Sequence, residues 1–336
     1  MANRDNLYTI NDLSVEYHTR LGILSAVDDI TFEIKRGEVL GLVGESGCGK
    51  STLGKALMRM IEEPGKIVSG DLKFDGIDIM NLPEADMREL RGSRISMIFQ
   101  DPLTSLNPVQ KVVEHVTETI QVHESHVSEK AARARAAELV DRLGISSNRL
   151  DDYPHQLSGG MRQRTMIGLA LALRADLVIA DEATTSLDVI VEAQFLDLLR
   201  ELRDEFDLTI LLITHNIGIV AQLADRIAIM YAARLAEIGG IHNCFTAPKH
   251  PYSQGLLRSV PTIKLEEVDL YEMGGSPPDL THPPSGCRFH PRCPKVMPVC
   301  SQLDPTLKYI EPNWKVNCWL YEDIPEHLLV ANGNTI

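Results

Sequence analysis

The chain has no run of apolar residues long enough to cross a bilayer. About 18 consecutive ones are needed, and the longest buried-looking runs, such as Thr209 to Ile213, are strand-sized. The opening MANRDNLYTI lacks both a basic stretch and an apolar core. The expectation is therefore a chain without a signal peptide that works inside the cell and meets a membrane only through a partner. No internal repeat is present, which excludes the repeat architectures. Positive charge is scarce: 33 Lys and Arg against 47 Asp and Glu leave a formal net charge of −14. That argues against a general nucleic-acid binder, whose phosphate contacts need clustered Lys and Arg. Cys-x-x-Cys pairs are absent as well, which removes the usual zinc-knuckle signature.

What is there is an ordinary globular balance. With 336 residues, 44% hydrophobic and 24% charged, the chain has room for a full α/β domain plus something smaller. Residues 1 to about 95 read as short strands with turns, interrupted by one helix. The apolar run Val39 to Val43 ends in a Gly-rich turn, after which Leu53, Ala56, Leu57 and Met60 recur at helical spacing: strand, loop, helix. Between about 110 and 150 the text changes to alternating charge and alanine (EKAARARAAELVDRL), the pattern of helices with a solvated face. Two more strand-plus-helix units follow. Leu177 to Ala180 leads into Asp181, and Thr209 to Thr214 leads into His215, with Ile217, Val220, Ala221 and Ala224 marking a helix face. This alternation predicts an α/β fold with a mostly parallel sheet and helices on both sides. Past about residue 245, Pro, Gly and Cys dominate, predicting a separate, loop-rich appendage.

Gly44, Glu45, Ser46, Gly47, Cys48, Gly49, Lys50 and Ser51 fit G-x-x-x-x-G-K-[ST], placed as the motif demands between an apolar strand and a helix. The glycines let backbone N–H groups converge on phosphate oxygens, and the helix N-terminus adds partial positive charge. Lys50 is expected to reach the β- and γ-phosphates and Ser51 to hold Mg²⁺. Cys48 occupies a variable position of the loop. The strand Leu177 to Ala180 ends in adjacent carboxylates: Asp181 suits the acid that holds Mg²⁺, and Glu182 suits the group that orients and deprotonates the attacking water. Gln100 follows the apolar Ile95 to Phe99, as His215 follows Thr209 to Thr214. Parallel sheets place their sites at the carboxyl ends of strands, so these groups can converge on one nucleotide. His215 reads as a γ-phosphate sensor, with an ordinary structural histidine as the alternative. Ser158 is a good N-cap for a helix whose buried face is Met166, Leu169, Ala170 and Leu173. With Gly159 and Gly160 it offers a second bare helix N-terminus, although by itself this pattern is also that of any capped helix.

Together these residues resemble an ABC transporter ATPase. LSGGMRQR is similar to the family signature and precedes the Asp181-Glu182 strand at a short interval. Gln100 matches the Q-loop, Ser186-Leu187-Asp188 the D-loop and His215 the H-loop, while Tyr17 stands where an aromatic stacks on adenine. The resemblance spans about residues 5 to 260, with Ala183 where many members have proline. It implies a P-loop NTPase core with a helical subdomain (about 101–165) and an antiparallel β subdomain, in an ABC ATPase domain at 1–245 followed by a loop-rich C-terminal extension at 246–336. It implies that ATP contacts Tyr17, the loop Gly44 to Thr52 and Gln100, and that Mg²⁺ is held by Ser51, Gln100 and Asp181. Glu182 and His215 are the implied catalytic pair. Ser158, Gly159, Gly160 and Gln163 are the implied signature contacts, closing over the nucleotide of a second ABC ATPase subunit, in this branch often a different chain. Two permease subunits complete the assembly, an extracytoplasmic binding protein supplies it indirectly, and nucleic acid has no part. Such a subunit sits peripherally on the cytoplasmic face of the cell membrane. The segment Asp101 to Pro108 after Gln100 is the implied relay to the membrane subunits. The alternative is a soluble ABC ATPase acting on nucleic acid or ribosomes, but those proteins usually carry long coiled coils or two cassettes, and neither is present.

Cys287, Cys293, Cys300 and Cys318 are separated by five, six and seventeen residues. Four thiolates can hold Zn²⁺ or an iron–sulfur cluster, and spacing alone does not choose. FQDPLTSLNP, KHPYSQGLLRSVP and SPPDLTHPPSGCRFHPRCP resemble the oligopeptide/dipeptide branch of the family. That resemblance implies an importer of di- or oligopeptides or a related solute, and a [4Fe–4S] cluster on the four cysteines, with Zn²⁺ as the alternative.

Overall fold

A computed structural model describes residues 6–100, 105–184, 189–259 and 273–324. The strands are β1 (Asn6–Thr19), β2 (Gly22–Lys35), β3 (Val39–Val43), β4 (Gly65–Phe74), β5 (Ile77–Asp78), β6 (Ile95–Ile98), β7 (Leu177–Asp181), β8 (Thr209–Ile213), β9 (Arg226–Tyr231), β10 (Arg234–Gly240), β11 (Leu307–Glu311) and β12 (Trp314–Asn317). The helices are α1 (Lys50–Leu57), α2 (Glu84–Ser93), α3 (Val112–His123), α4 (Glu129–Arg142), α5 (Gly159–Leu171), α6 (Val189–Phe206), α7 (Ile217–Leu223), α8 (Ile241–Thr246) and α9 (Pro251–Arg258). The chain divides into two units: Met1–Thr9, Glu33–Val39 and Lys73–Thr214 form the first, and Ile10–Phe32, Leu40–Leu72 and His215–Ile336 the second.

In the first unit β6, β7 and β8 are parallel, with Ile95 opposite Leu177, Ile98 opposite Ala180 and Asp181 opposite Ile213. Every residue of these strands is buried, the continuous apolar pattern of a sheet covered on both faces. Arg94 ties their N-terminal edge, donating from Nε to Asp176 and from Nη2 to Asp75, both at 2.7 Å. The helical insertion is there, and it is held by its own core. Val112, Val116, Ile120, Ala132, Ala136 and Val140 of α3 and α4 pack with Leu157 and Ala172. Ser128 caps α4 by accepting the Ala131 N–H at 3.3 Å. This cluster reaches Ala172 and the adjoining Leu173.

In the second unit β3 runs parallel to β9, with Leu40 opposite Arg226 and Val43 opposite Ile229. Helix α7 packs so closely on β3 that a Cβ at Gly41 would lie 2.4 Å from Val220. Strands β2, β1 and β4 lie in that order in a separate sheet. The expected short strands are in fact two of 14 residues each. The polar pairs Asn11-Asp12 and Asp28-Asp29 are kinks that the strands run through. Asp12 and Asp29 take left-handed φ values of 51° and 52°. Side-chain hydroxyls replace the ladder there: Thr31 accepts the Asp12 N–H at 2.8 Å and Ser14 the Asp29 N–H at 3.1 Å.

Among its described residues the loop-rich C-terminal extension joins the second unit by strand pairing. Strand β12 pairs antiparallel with β10, with Glu237 opposite Val316, and β11 pairs with β12. The junction is fixed by Glu237, which is fully buried and accepts N–H groups from Lys249 (3.0 Å), His250 (2.9 Å) and the Trp314 indole (2.9 Å). A buried carboxylate persists only when its oxygens are satisfied in this way.

Candidate functional site

The loop between β3 and α1 is built around two glycines, Gly44 and Gly49, that leave no room for a side chain. A Cβ at Gly44 would lie 2.1 Å from the Met230 carbonyl oxygen, and one at Gly49 would lie 1.9 Å from that of Ala26. Gly47 and Gly49 have φ values of 78° and 104°. The chain thus turns back on itself with Ser46 and Gly47 exposed, and Lys50 starts α1. Lys50 is 4% exposed, and its Nζ donates to the carbonyl oxygens of Gly44 (2.9 Å) and Glu45 (3.1 Å). Cys48 lies beneath this cation, its Sγ 3.9 Å from Nζ, and burial raises its thiol pKa while Lys50 opposes the rise. Ser51 and Thr52 follow on the first turn of α1, half-buried. The loop is a glycine-built turn around a held ammonium group at the start of a helix, the arrangement that takes a polyphosphate.

Two residues that the sequence did not single out hold this loop from below. The buried Tyr252 hydroxyl accepts the Glu45 N–H at 3.0 Å. Arg292 grips the Glu45 carboxylate with both terminal nitrogens, at 2.9 and 3.1 Å. Tyr231, Tyr252, His250 and Phe289 form an aromatic group around them, with ring centroids 4.6–5.7 Å apart in the contacting pairs. Arg292 stands 247 positions from Glu45, and no local pattern marks the pair.

In the first unit Asp181 ends β7 and is buried, and Glu182 follows in a left-handed conformation, φ 45°. The Glu182 N–H donates to the Ile213 carbonyl at 2.8 Å, and its carboxylate accepts from Gln100 Nε2 at 2.9 Å. Gln100 and Glu182 are therefore brought together directly. His215 lies just past β8, exposed, beside Asn216, which caps α7. Tyr17 is half-buried on β1, against Gly65, where an added Cβ would sit 2.7 Å from its ring. Asp101 to Thr104 and Ser186-Leu187-Asp188 lie outside the described residues.

Ser158 caps α5, its hydroxyl accepting the Met161 N–H at 3.3 Å, and Ser158 and Gly159 are exposed with Gly160 half-buried. This end of α5 is open to a ligand from outside. Gln163 is placed differently. One turn farther along it is 1% exposed, donates from Nε2 to the Ala183 carbonyl, and leaves Oε1 buried without a partner among the described residues. It braces the turn after Glu182 and is not displayed beside Ser158. Helical periodicity explains the difference, since five positions beyond the cap the side chain has rotated to the buried face.

Cys287, Cys293, Cys300 and Cys318 gather in the second unit. The Cys287 N–H donates to the Cys300 carbonyl at 2.8 Å, and Cys287 packs on the Val299, Cys300 and Trp319 cluster. Each sulfur accepts a backbone N–H: from Phe289 to Cys287, Lys295 to Cys293 (3.4 Å), Met297 to Cys300 (3.4 Å) and Leu320 to Cys318. Burial, with the neighbouring sulfurs adding to it, pushes Cys287 up to about 12 and Cys318 up to about 11. As the side chains stand, no three His, Cys, Asp or Glu among the described residues are spaced to hold a metal ion.

Residues 27–185 match the ABC transporter family, and residues 236–300 match the C-terminal region of oligopeptide/dipeptide transporters. Over 330 residues the chain is 42% identical to the dipeptide transport ATP-binding protein DppD of Bacillus subtilis, covering 97% of this chain and 98% of that protein. The chain belongs to the ABC transporter ATP-binding proteins. It is also 44% identical over 301 residues to the oligopeptide transport ATP-binding protein OppD of Salmonella typhimurium, 89% of each chain. Among solved structures it resembles a dimeric ATP-binding cassette in a post-hydrolysis state bound to ADP and Pi. The TM-score is 0.64 at 25% identity, over 70% of this chain and 98% of that one. The ABC ATPase fold expected from the motifs is the one found, and the protein is an ATPase subunit of a transporter. The C-terminal match to a transporter region leaves the nucleic-acid alternative without support. No helix among the described residues is long and apolar enough to cross a membrane.

Proposed function

We propose that this chain hydrolyses ATP to drive import of di- or oligopeptides through a pair of permease subunits, seated peripherally on the cytoplasmic face of the membrane. The observation that carries the reading is the loop Gly44–Lys50, in which Gly44 and Gly49 admit no side chain and the Lys50 ammonium is held by the Gly44 and Glu45 carbonyls. The peptide class is supported by the relatives' names, dipeptide and oligopeptide transport ATP-binding proteins, and by the matched C-terminal region. ATP lies in the loop from Gly44 to Thr52 with Tyr17 against adenine. Ser51, Asp181 and Gln100 hold Mg²⁺, which supplies charge neutralisation of the phosphates. Glu182 orients the attacking water and takes its proton, and the hydrogen bond from Gln100 supports this by fixing the Glu182 carboxylate. His215 senses the γ-phosphate. Ser158, Gly159 and Gly160 close over the nucleotide of a second ATPase subunit, a reading supported by their exposed helix end. An extracytoplasmic binding protein delivers the peptide. The test is reconstitution with the permeases in vesicles. Hydrolysis should rise when a peptide-loaded binding protein is added outside, and stimulation by a different solute in place of peptides would overturn the substrate class.

For Cys287, Cys293, Cys300 and Cys318 the reading is a [4Fe–4S] site, with Zn²⁺ as the alternative. The donor set is what supports it: four cysteines of the second unit, each with a backbone N–H directed at its sulfur, a contact that favours the thiolate. The sulfurs must close from their present spacing to ligate. Iron and acid-labile sulfide in anaerobically purified protein are the expected result, and stoichiometric zinc without iron removes the cluster.

A further inference from the structure

Glu45 is held at three points. Its N–H goes to Tyr252, its carbonyl accepts from Lys50, and its carboxylate is gripped by Arg292. Two of the three anchors come from the chain beyond residue 250. The pairing is tight: the Arg292 side chain is 6% exposed and that of Glu45 23%. Arg292 is fully engaged elsewhere too. Its Nε donates to the Gly274 carbonyl at 3.0 Å, Nη1 also reaches the Tyr231 hydroxyl at 3.3 Å, and the guanidinium lies 5.7 Å from the Tyr231 ring centroid.

The position of Glu45 makes this consequential. It is the second residue of the phosphate loop, so its carboxylate stands beside a cradle meant for a polyanion. An unneutralised carboxylate there repels the ligand. A mobile one also frees the carbonyl that holds Lys50 in place. Arg292 corrects both faults with one bidentate contact.

We infer that Arg292 of the C-terminal extension is a positioning residue for nucleotide binding: by masking and fixing Glu45 it keeps the phosphate loop and Lys50 preformed. This inference rests on the loop being the ATP site. It assigns the extension a direct hold on that site.

The experiment measures MgATP affinity and steady-state ATPase on the full-length chain with its ATPase partner. For Arg292→Ala the dissociation constant and KM rise about tenfold, with kcat at saturating ATP nearly unchanged, and the rise shrinks at high salt. Arg292→Lys, which keeps the charge without the fork, recovers part of the loss. In a Glu45→Gln background Arg292→Ala changes affinity less than about twofold, because no carboxylate is left to mask. Should Arg292→Ala fail to fold, Arg292→Lys and Arg292→Gln in the two backgrounds carry the same comparison. The inference is overturned if Arg292→Ala or Arg292→Gln binds MgATP like the parent, or if the loss is equally large beside Glu45→Gln. If the unaltered chain itself does not bind MgATP, the ATP-site reading fails instead.

Discussion

Glu182 occupies a conformation that a β-carbon disfavours, φ 45°, and the neighbourhood enforces it. Its N–H is spent on the Ile213 carbonyl and the buried Gln163 supports the next carbonyl along. The side chain is thereby aimed out of the strand end toward Gln100. Glu182→Gln preserves shape and hydrogen bonding while removing the base. Steady-state hydrolysis should fall by roughly 10²–10⁴-fold, the usual worth of a positioned general base, while MgATP binding persists. Undiminished turnover would remove Glu182 from that role. The loop glycines make a complementary prediction. Gly49→Ala puts a methyl group on the Ala26 carbonyl at an unfavourable φ of 104°, so the loop must shift. A displacement on the ångström scale should weaken MgATP affinity by about 10²-fold, measured by nucleotide titration.

Helix α9 shows how an element can carry a pH dependence. His250 is its N-cap: Nδ1 accepts the Tyr252 N–H at 3.0 Å, and the ring makes a second hydrogen bond to the Asn317 backbone. An accepting Nδ1 requires the neutral ring, and burial lowers the His250 pKa to about 4. Around it stand Tyr252 of α9, Phe289, and Glu237 of β10, whose carboxylate accepts the His250 N–H. A histidine with a folded pKa near 4 and an unfolded one near 6.5 binds more protons unfolded. Its contribution is therefore complete above about pH 6.5 and lost as pH falls toward 4, on the order of 3 kcal/mol in all. Urea unfolding between pH 7 and 4 should show that loss in the parent and a smaller one in His250→Asn, which keeps the cap without the titrating ring. The elements themselves were unevenly legible. Helices with a strong apolar period and strands with continuous apolar runs, β3, β6, β7 and β8, could be read directly, because their burial is written in local order. Short strands were expected where β1 and β2 run 14 residues each, because the contacts that carry them through the kinks at Asp12 and Asp29, from Thr31 and Ser14, join positions distant in sequence. Strand β12 is too short to read alone, because the β10 strand it pairs with lies far away in sequence. The same holds for the site. The phosphate loop is local and was legible, whereas Tyr252 and Arg292 act across distances that no spacing rule reports.

At the scale of the whole molecule the exposed N-terminus of α5 is the feature to explain. A helix end with Ser158 and Gly159 open to solvent has its orphan N–H groups available to a ligand. On the proposed reading that ligand is the nucleotide of a second ATPase subunit, and each pocket is then shared. The prediction follows for a pair in which only this chain is altered and the partner, copy or not, is distinguishable by a tag. Ser158→Arg fills the space over the partner's nucleotide and leaves this chain's Lys50 cradle intact. Lys50→Ala does the reverse. After turnover with vanadate and a photoreactive ATP, label should disappear from the partner in the first case and from this chain in the second. A self-contained pocket predicts the opposite pattern for Ser158→Arg, with label lost from the altered chain and retained on its partner, so the location of the label alone decides whether the site is divided between two subunits.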